Sequence, residues 1–154
     1  IIQDNNFLAC SKTHRDKVFN MLRSQKHIDF SGGLEATRVT DEIVEQLRGL
    51  RIYQIWLAFD HPNNEKPLKL AINRLSKYFG DRQIRCYILI GYGDDTIEKA
   101  EERLRKVYEF GSLPFAMLYL DEKNSPLTKE WKQFQRKWVR PAIIRSRLAK
   151  CKGE

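Results

Sequence analysis

The chain has 154 residues, 42% hydrophobic, 31% charged and 11% aromatic, with a formal charge of +8, the make-up of one ordinary globular domain and too short for two full-sized ones. That composition excludes disordered and collagen-like classes. Its longest apolar runs, Ile55 to Phe59 and Cys86 to Ile90, fall far short of the roughly 18 to 20 residues of a bilayer span, so no membrane partner is expected.

In chain order, compact apolar runs bounded by Gly, Asp, Asn or Pro predict strands at Ile1 to Gln3, Ile28 to Phe30, Ile52 to Phe59, Ile84 to Ile90 and Phe115 to Tyr119. Stretches of helical period fill the gaps. The first, about Ser11 to Ser24, sets Val18, Met21 and Leu22 on one side. The second opens with Thr40 as N-cap and buries Ile43, Val44, Leu47 and Leu50. A third, from about Lys66 to Phe79, turns Leu68, Ile72, Leu75 and Phe79 inward before Gly80. A fourth starts at Thr96, carries Ile97, Ala100, Leu104, Val107 and Tyr108, and stops at Gly111.

A strand every 25 to 30 residues or so, with a helix in each gap, is the spacing of right-handed βαβ crossovers and of a parallel sheet. The fold class is therefore α/β, with about five parallel strands in sequential order, outer helices, and Ile55, Leu57, Phe59, Ile88, Ile90 and Met117 near the centre. A closed eight-stranded barrel takes about 250 residues, so the chain supplies an open arc of a (β/α) barrel, with a doubly wound sheet as the alternative. An unpaired strand edge would make it dimerise, cover the edge with a tail, or aggregate.

The C-terminal part differs. Between Thr128 and Glu154 nine basic residues face two acidic ones, a net +7 that leaves only +1 for residues 1 to 127. The expected division is a body over 1 to 127 and a basic helix and tail over 128 to 154. Leu127, Trp131, Phe134 and Trp138 form one helical stripe, which closes a core more often than it reads bases. Weak polyanion binding by the tail is expected, and a non-catalytic nucleic-acid module is the rival reading.

Cys10, Cys86 and Cys151 are an odd, scattered set, which argues against a secreted disulfide framework and for a reducing cytoplasm. With His14, His27 and His61 they form no zinc spacing. Ile1-Ile2-Gln3-Asp4 lacks the features of a signal peptide. A start on Ile rather than Met points to a fragment or a processed chain.

In parallel α/β folds ligands bind where strands end. Those positions are polar and glycine-rich: Asp4-Asn5-Asn6, Ser31-Gly32-Gly33-Leu34-Glu35 with Arg38, Asp60-His61, and Gly91-Tyr92-Gly93-Asp94-Asp95-Thr96. Such glycines let backbone approach a ligand, and a helix opening at Thr96 favours negative charge. No third glycine of a dinucleotide fingerprint and no Gly-Lys-Ser or Gly-Lys-Thr phosphate loop occurs, which argues against classical NAD or ATP sites and disfavours a flavodoxin-like domain. Glu35 and Arg38, three apart, suit ribose hydroxyls and a carboxylate, or a surface ion pair.

Asp4-Asn5-Asn6-Phe7, Ile28 to Ala36, Leu57 to Asp60, Cys86 to Tyr92 with Asp95-Thr96, and Leu113 to Tyr119 occur in this order. Together they resemble the second to sixth strands of a radical S-adenosylmethionine (radical SAM) domain of bacterial or phage type with unassigned substrate, over residues 1 to about 142. The resemblance implies a partial barrel in which SAM is cleaved reductively to a 5′-deoxyadenosyl radical. It implies that Asp4, Asn5 and Asn6 face the methionyl moiety, where the family's Gly-Gly-Glu is absent. It places Glu35 and Arg38, beyond Gly32 and Gly33, against the amino acid or ribose, and Asp60 against the ribose. Ile88, Ile90, Gly91 and Tyr92 fall in a partial match to the family's Gly-x-Ile-x-Gly-x-x-Glu strand, an apolar backbone wall against adenine, with Cys86 at the first glycine and Asp94 or Asp95 near the final acid.

The family's Cys-x-x-x-Cys-x-x-Cys loop, which holds a [4Fe-4S] cluster, has no counterpart here. The resemblance thus implies a domain lacking its first βα unit, with that loop upstream of Ile1. The parent enzyme would hold SAM and the cluster, while this chain alone, with a lone Cys10 near the right face, would bind neither metal nor cluster and be inactive.

Overall fold

The computed structural model describes residues 1–4, 6–59, 61–120 and 128–150. Four parallel strands, β1 (Ile28–Leu34), β2 (Ile52–Ala58), β3 (Ile84–Ile90) and β4 (Leu113–Leu118), lie side by side in sequence order. Helices α1 (Lys12–Leu22), α2 (Asp41–Arg48), α3 (Glu65–Leu75) and α4 (Ile97–Glu109) precede or connect them, and α5 (Lys129–Lys137) and α6 (Pro141–Lys150) come after the last strand. The α/β class with parallel strands and flanking helices is as expected from the spacing.

The strand expected at Ile1 to Gln3 is not formed. Ile2 nevertheless lies along β1, donating its N–H to the Asp29 carbonyl (2.8 Å) and accepting from Gly32 N–H (3.0 Å). Pairing goes no further because β1 is irregular between Phe30 and Leu34 and the chain turns away, Asp4 Oδ1 accepting from Asn6 N–H (2.9 Å) before a 3₁₀ turn at Phe7–Ala9. Here Gly32 does local work: a Cβ on it would lie 2.6 to 2.8 Å from the backbone of Gln3 and Asp4. The other sheet edge is covered too. Ala116 N–H donates to the Trp138 carbonyl (3.2 Å) and Gln135 Nε2 to the Ala116 carbonyl (3.2 Å). Pro114, two residues earlier on the same side, tolerates its missing N–H because that side pairs with no strand among the described residues.

Helix starts obey the expected chemistry. Thr40, Thr96 and Thr128 hydroxyls accept from the N–H groups of Ile43, Lys99 and Trp131, each filling one of the donors a helix start leaves open. Leu127, the first member of the C-terminal stripe, lies outside the described residues, but Phe134 and Trp138 are buried in the main core with Ile144 and Leu148. The aromatic stripe closes the core.

Strand alternation divides the sheet into unlike faces. Ile55, Leu57, Ile84, Cys86, Ile88, Ile90 and Ala116 belong to one cluster with Phe19, Val44, Leu47, Leu68, Ile72, Ala100, Leu104 and Val107 of α1 to α4. The opposite face carries Gln54, Trp56, Ala58, Arg85, Tyr87, Leu89, Phe115 and Met117, none of them in that cluster. Two expected core residues are therefore corrected. Met117, next to Ala116, points to this second face and is 42% exposed. Met21 is exposed as well, while Phe19 is buried beside Leu22 because Phe7 packs edge-on against it, ring centroids 5.3 Å apart.

Gly32→Ala should lower stability by about 1–3 kcal/mol, since main chain rather than a flexible side chain must give way. Gly80→Ala, whose Cβ would meet nothing within 4 Å, should stay within about 0.5 kcal/mol. Urea unfolding midpoints of the two variants check the contrast.

Candidate functional site at the strand carboxyl edge

Parallel strands deliver Glu35, Gly91 and Tyr119, each just past its strand, to one edge of the sheet, and the Ile2 contact brings Asp4 to the same end of β1. Glu35 leads into a 3₁₀ turn, Ala36–Arg38, that packs on α3, where Arg74 Nη1 donates to the Val39 carbonyl (2.9 Å). Its carboxylate accepts from the Thr37 hydroxyl (2.5 Å) and Arg38 Nε (2.7 Å). Those two hydrogen bonds, Thr37 first, hold the Glu35 carboxyl below the usual carboxylate range against the opposing effect of desolvation, with the Arg38 charge adding to them. Both partners of the pair remain half exposed. Beside them a crevice of about 160 Å³ is lined by Leu34, Glu35, Ala36, Thr37, Ala58 and Asn64, with Pro67 behind.

The β3 end is built differently. Gly91 turns with φ +78° and donates its N–H to Asp95 Oδ2 (2.9 Å). Arg103 of α4 grips both Asp95 oxygens (2.9 and 2.8 Å) and the Leu89 carbonyl (3.1 Å). Burial alone pushes the Asp95 carboxyl up. The Arg103 hydrogen bonds, the Gly91 N–H, the Arg103 charge and the Thr96 N–H outweigh it and leave the pKa below the usual range. Asp95 is thus spent on holding the loop, while Asp94 is fully exposed with Lys99 3.5 Å away. Tyr92 is exposed, its ring edge-to-face with Tyr119 at 4.7 Å.

The fold brings Asp4, Asn6, Gly32, Gly33, Glu35, Arg38, Gly91 and Tyr92 to this edge. Asn5 and Asp60 lie outside the described residues. Gly33 takes the left-handed φ of +87° with open space where a Cβ would be, whereas Gly32 is accounted for by Gln3 and Asp4. Ile88 and Ile90 are fully buried under the helices, so at this edge only their backbone is available.

The second face of the sheet holds side chains the strand-end reading passed over. Trp56 stacks on Tyr87 (centroids 4.2 Å, 14° between planes) and meets Phe115 edge-on at 5.6 Å. The Arg85 guanidinium sits 4.6 Å above the Trp56 ring, and the Tyr87 hydroxyl donates to the Ser31 carbonyl (3.2 Å). Asp29 Oδ1, Ser31 Oγ, Trp56 Nε1 and Arg85 Nε are buried with no hydrogen-bond partner among the described residues. The available signal was a charged residue between Ile84 and Cys86 in an otherwise apolar strand. No protein-family model matches the chain, and no curated protein matches it either. What fold and edge define together is a parallel α/β domain with a polar strand-carboxyl edge.

Asp95→Asn should destabilise the chain by about 2–3 kcal/mol by leaving Arg103, mostly buried, without its charge partner. Because folding depresses the Asp95 pKa, its contribution is complete above the unfolded value near pH 4 and is lost as pH falls through the lower folded value. Stability measured between about pH 6 and 2 should show wild type and variant converging toward the acid end.

Proposed function

We propose that this chain is the later part of a radical SAM enzyme domain and that its strand carboxyl edge binds S-adenosylmethionine. One observation carries the reading: four parallel strands in sequential order with helices α1 to α4 packed on a single face. Sequential order with right-handed crossovers keeps every helix on one side, the winding of a barrel arc. A doubly wound sheet reverses its order and packs helices on both faces. The barrel reading also gives the second face, with Tyr87, Leu89, Phe115 and Met117, a purpose, as the lining of an interior.

In this reading Arg38 offers its guanidinium to the amino-acid carboxylate, and Glu35, charged at neutral pH, accepts from ribose hydroxyls. The Gly91 backbone and the Tyr92 ring lie beside the adenine. Both side chains of the Glu35–Arg38 pair are exposed enough to exchange their mutual bond for one to ligand. SAM itself supplies the adenosyl group and the sulfonium bond to be cleaved.

The two cysteines among the described residues do not fit an iron–sulfur cluster. Cys86 is buried in the core, its thiol donating to the Tyr87 carbonyl (3.6 Å), while Cys10 comes directly after the turn at Phe7–Ala9. Among the described residues no group of three His, Cys, Asp or Glu side chains converges as a metal site. Cys151 lies outside them. A cluster loop is accordingly assigned to other residues of the parent protein.

Calorimetric titration of SAM into the cluster-loaded parent tests the site. Arg38→Ala is expected to weaken binding by about 1.5–3 kcal/mol, the worth of a hydrogen bond to a charged group. A loss under about 1 kcal/mol would make the pair an ordinary surface bridge and remove Arg38 from the site.

A further inference from the structure

The larger cavity lies at the opposite, amino-terminal edge of the sheet. It measures about 580 Å³ and is lined by Ile52, Tyr53 and Gln54 where β2 begins, Arg82, Gln83 and Arg85 before and in β3, Leu113 at the start of β4, and Pro141, Ala142 and Arg145 of α6. That volume is in the range of small-molecule sites, about 300–1,000 Å³.

Its charge is one-sided. Three guanidinium groups line it and, among the described residues, no carboxylate does. Arg145 is countered by Asp81 (2.9 Å), which leaves Arg82 and Arg85 as the lining arginines with no ion pair among the described residues. Arg82 is exposed and makes no ion pair among the described residues. Arg85 is only 7% exposed, and its guanidinium rests on the face of Trp56. Its Nε–H is buried without an acceptor among the described residues, and Asp29, on the same sheet face, forms no ion pair with it. Desolvation depresses the Arg85 pKa, opposed by the tyrosines and Asp29.

A buried N–H donor without an acceptor is costly and is seldom left so. Here the Arg85 guanidinium stands over the Trp56 ring, with the Gln83 amide anchored nearby on the Ile52 carbonyl (2.8 Å). The first turn of α6, a ten-residue helix, adds the positive end of its dipole through Pro141 and Ala142.

We propose that this cavity binds a small phosphomonoester, with the phosphate between Arg82, Arg85 and the first turn of α6 and the organic part against Ile52, Tyr53 and Leu113. Two guanidinium groups without an ion pair among the described residues match a phosphomonoester, which carries about −1.5 to −2 at neutral pH, better than a single carboxylate. The forked donors of arginine suit two phosphate oxygens at once. The site is separate from the proposed SAM edge and does not depend on it.

The test is titration of the 154-residue chain with phenyl phosphate, monitored by Trp fluorescence and by the Arg Nε–H signals in ¹⁵N-resolved NMR. Binding with a shift of the Arg85 Nε–H resonance is expected, with affinity reduced at least tenfold by Arg85→Gln and several-fold by Arg82→Ala, an exposed position whose loss leaves the fold intact. Phenylacetate should bind at least tenfold more weakly than phenyl phosphate. No saturable binding below about 10 mM, equal affinity in wild type and Arg82→Ala, or equal affinity for the carboxylate would overturn the proposal. So would single-stranded RNA shifting the Arg85 signal where phenyl phosphate does not, since the face would then be a nucleic-acid surface.

Discussion

The handedness of the β-strand crossover is the constraint on which the rest of this molecule depends. Each right-handed connection carries the chain to the next strand on the same side, and because no connection reverses direction, α2 to α4 accumulate on one face, where α1 joins the same core. One face then supplies the hydrophobic core with α1 to α4, and the other carries side chains outside that core. The strand carboxyl ends gather the polar turns at Glu35 and Gly91, while the amino ends, closed by α6, form the arginine-lined cavity. Two unlike surfaces thus arise from a single winding rule.

The second face of the sheet is where local propensity and global fold disagree. Trp56, Tyr87 and Phe115 pack on one another, and Arg85 lies over the Trp56 ring. Aromatic stacking and a cation–π contact each contribute about 0.5–2 kcal/mol. They offset only part of the cost of Asp29, Ser31, Trp56 and Arg85 atoms buried without partners among the described residues. Departures of this kind from local consistency tend to mark places where a protein is arranged for a ligand.

Much of the frame was legible in the sequence because it rests on local chemistry. Thr40 and Thr96 announce helices through the acidic and apolar residues just after them, and Ile84 to Ile90 reads as a buried strand from its run of branched residues. Periodicity says which residues share a side but not which side finds a partner. Met21 and Phe19 both sit on plausible helical stripes, and only the long-range arrival of Phe7 decides between them. Met117 obeys the same logic in a strand, since alternation was visible but which face α1 to α4 would cover was not. Ile1 to Gln3 has the composition of a strand yet gains two hydrogen bonds, because pairing depends on the neighbour, and β1 is irregular there. At the site, Glu35 and Arg38 could be read as a pair from their spacing, whereas the engagement of Asp95 by Arg103 joins residues eight apart across a helix start. The cavity at the other edge joins four segments and has no sequence signature beyond a lone arginine in an apolar run.

Thiol reactivity tests the one-sided winding most directly. In a chain carrying Cys10→Ser and Cys151→Ser, the native Cys86 reports the helix-covered face, while Ala58→Cys or Met117→Cys reports the other. Both of these positions are exposed and Cys86 is buried. In the folded chain the introduced thiols are predicted to react with a maleimide at rates near those in denaturant, with Cys86 slower by several orders of magnitude, as its reaction waits on opening of the core. Introduced thiols as protected as Cys86 would mean that both faces of the sheet are covered, and would contradict the account.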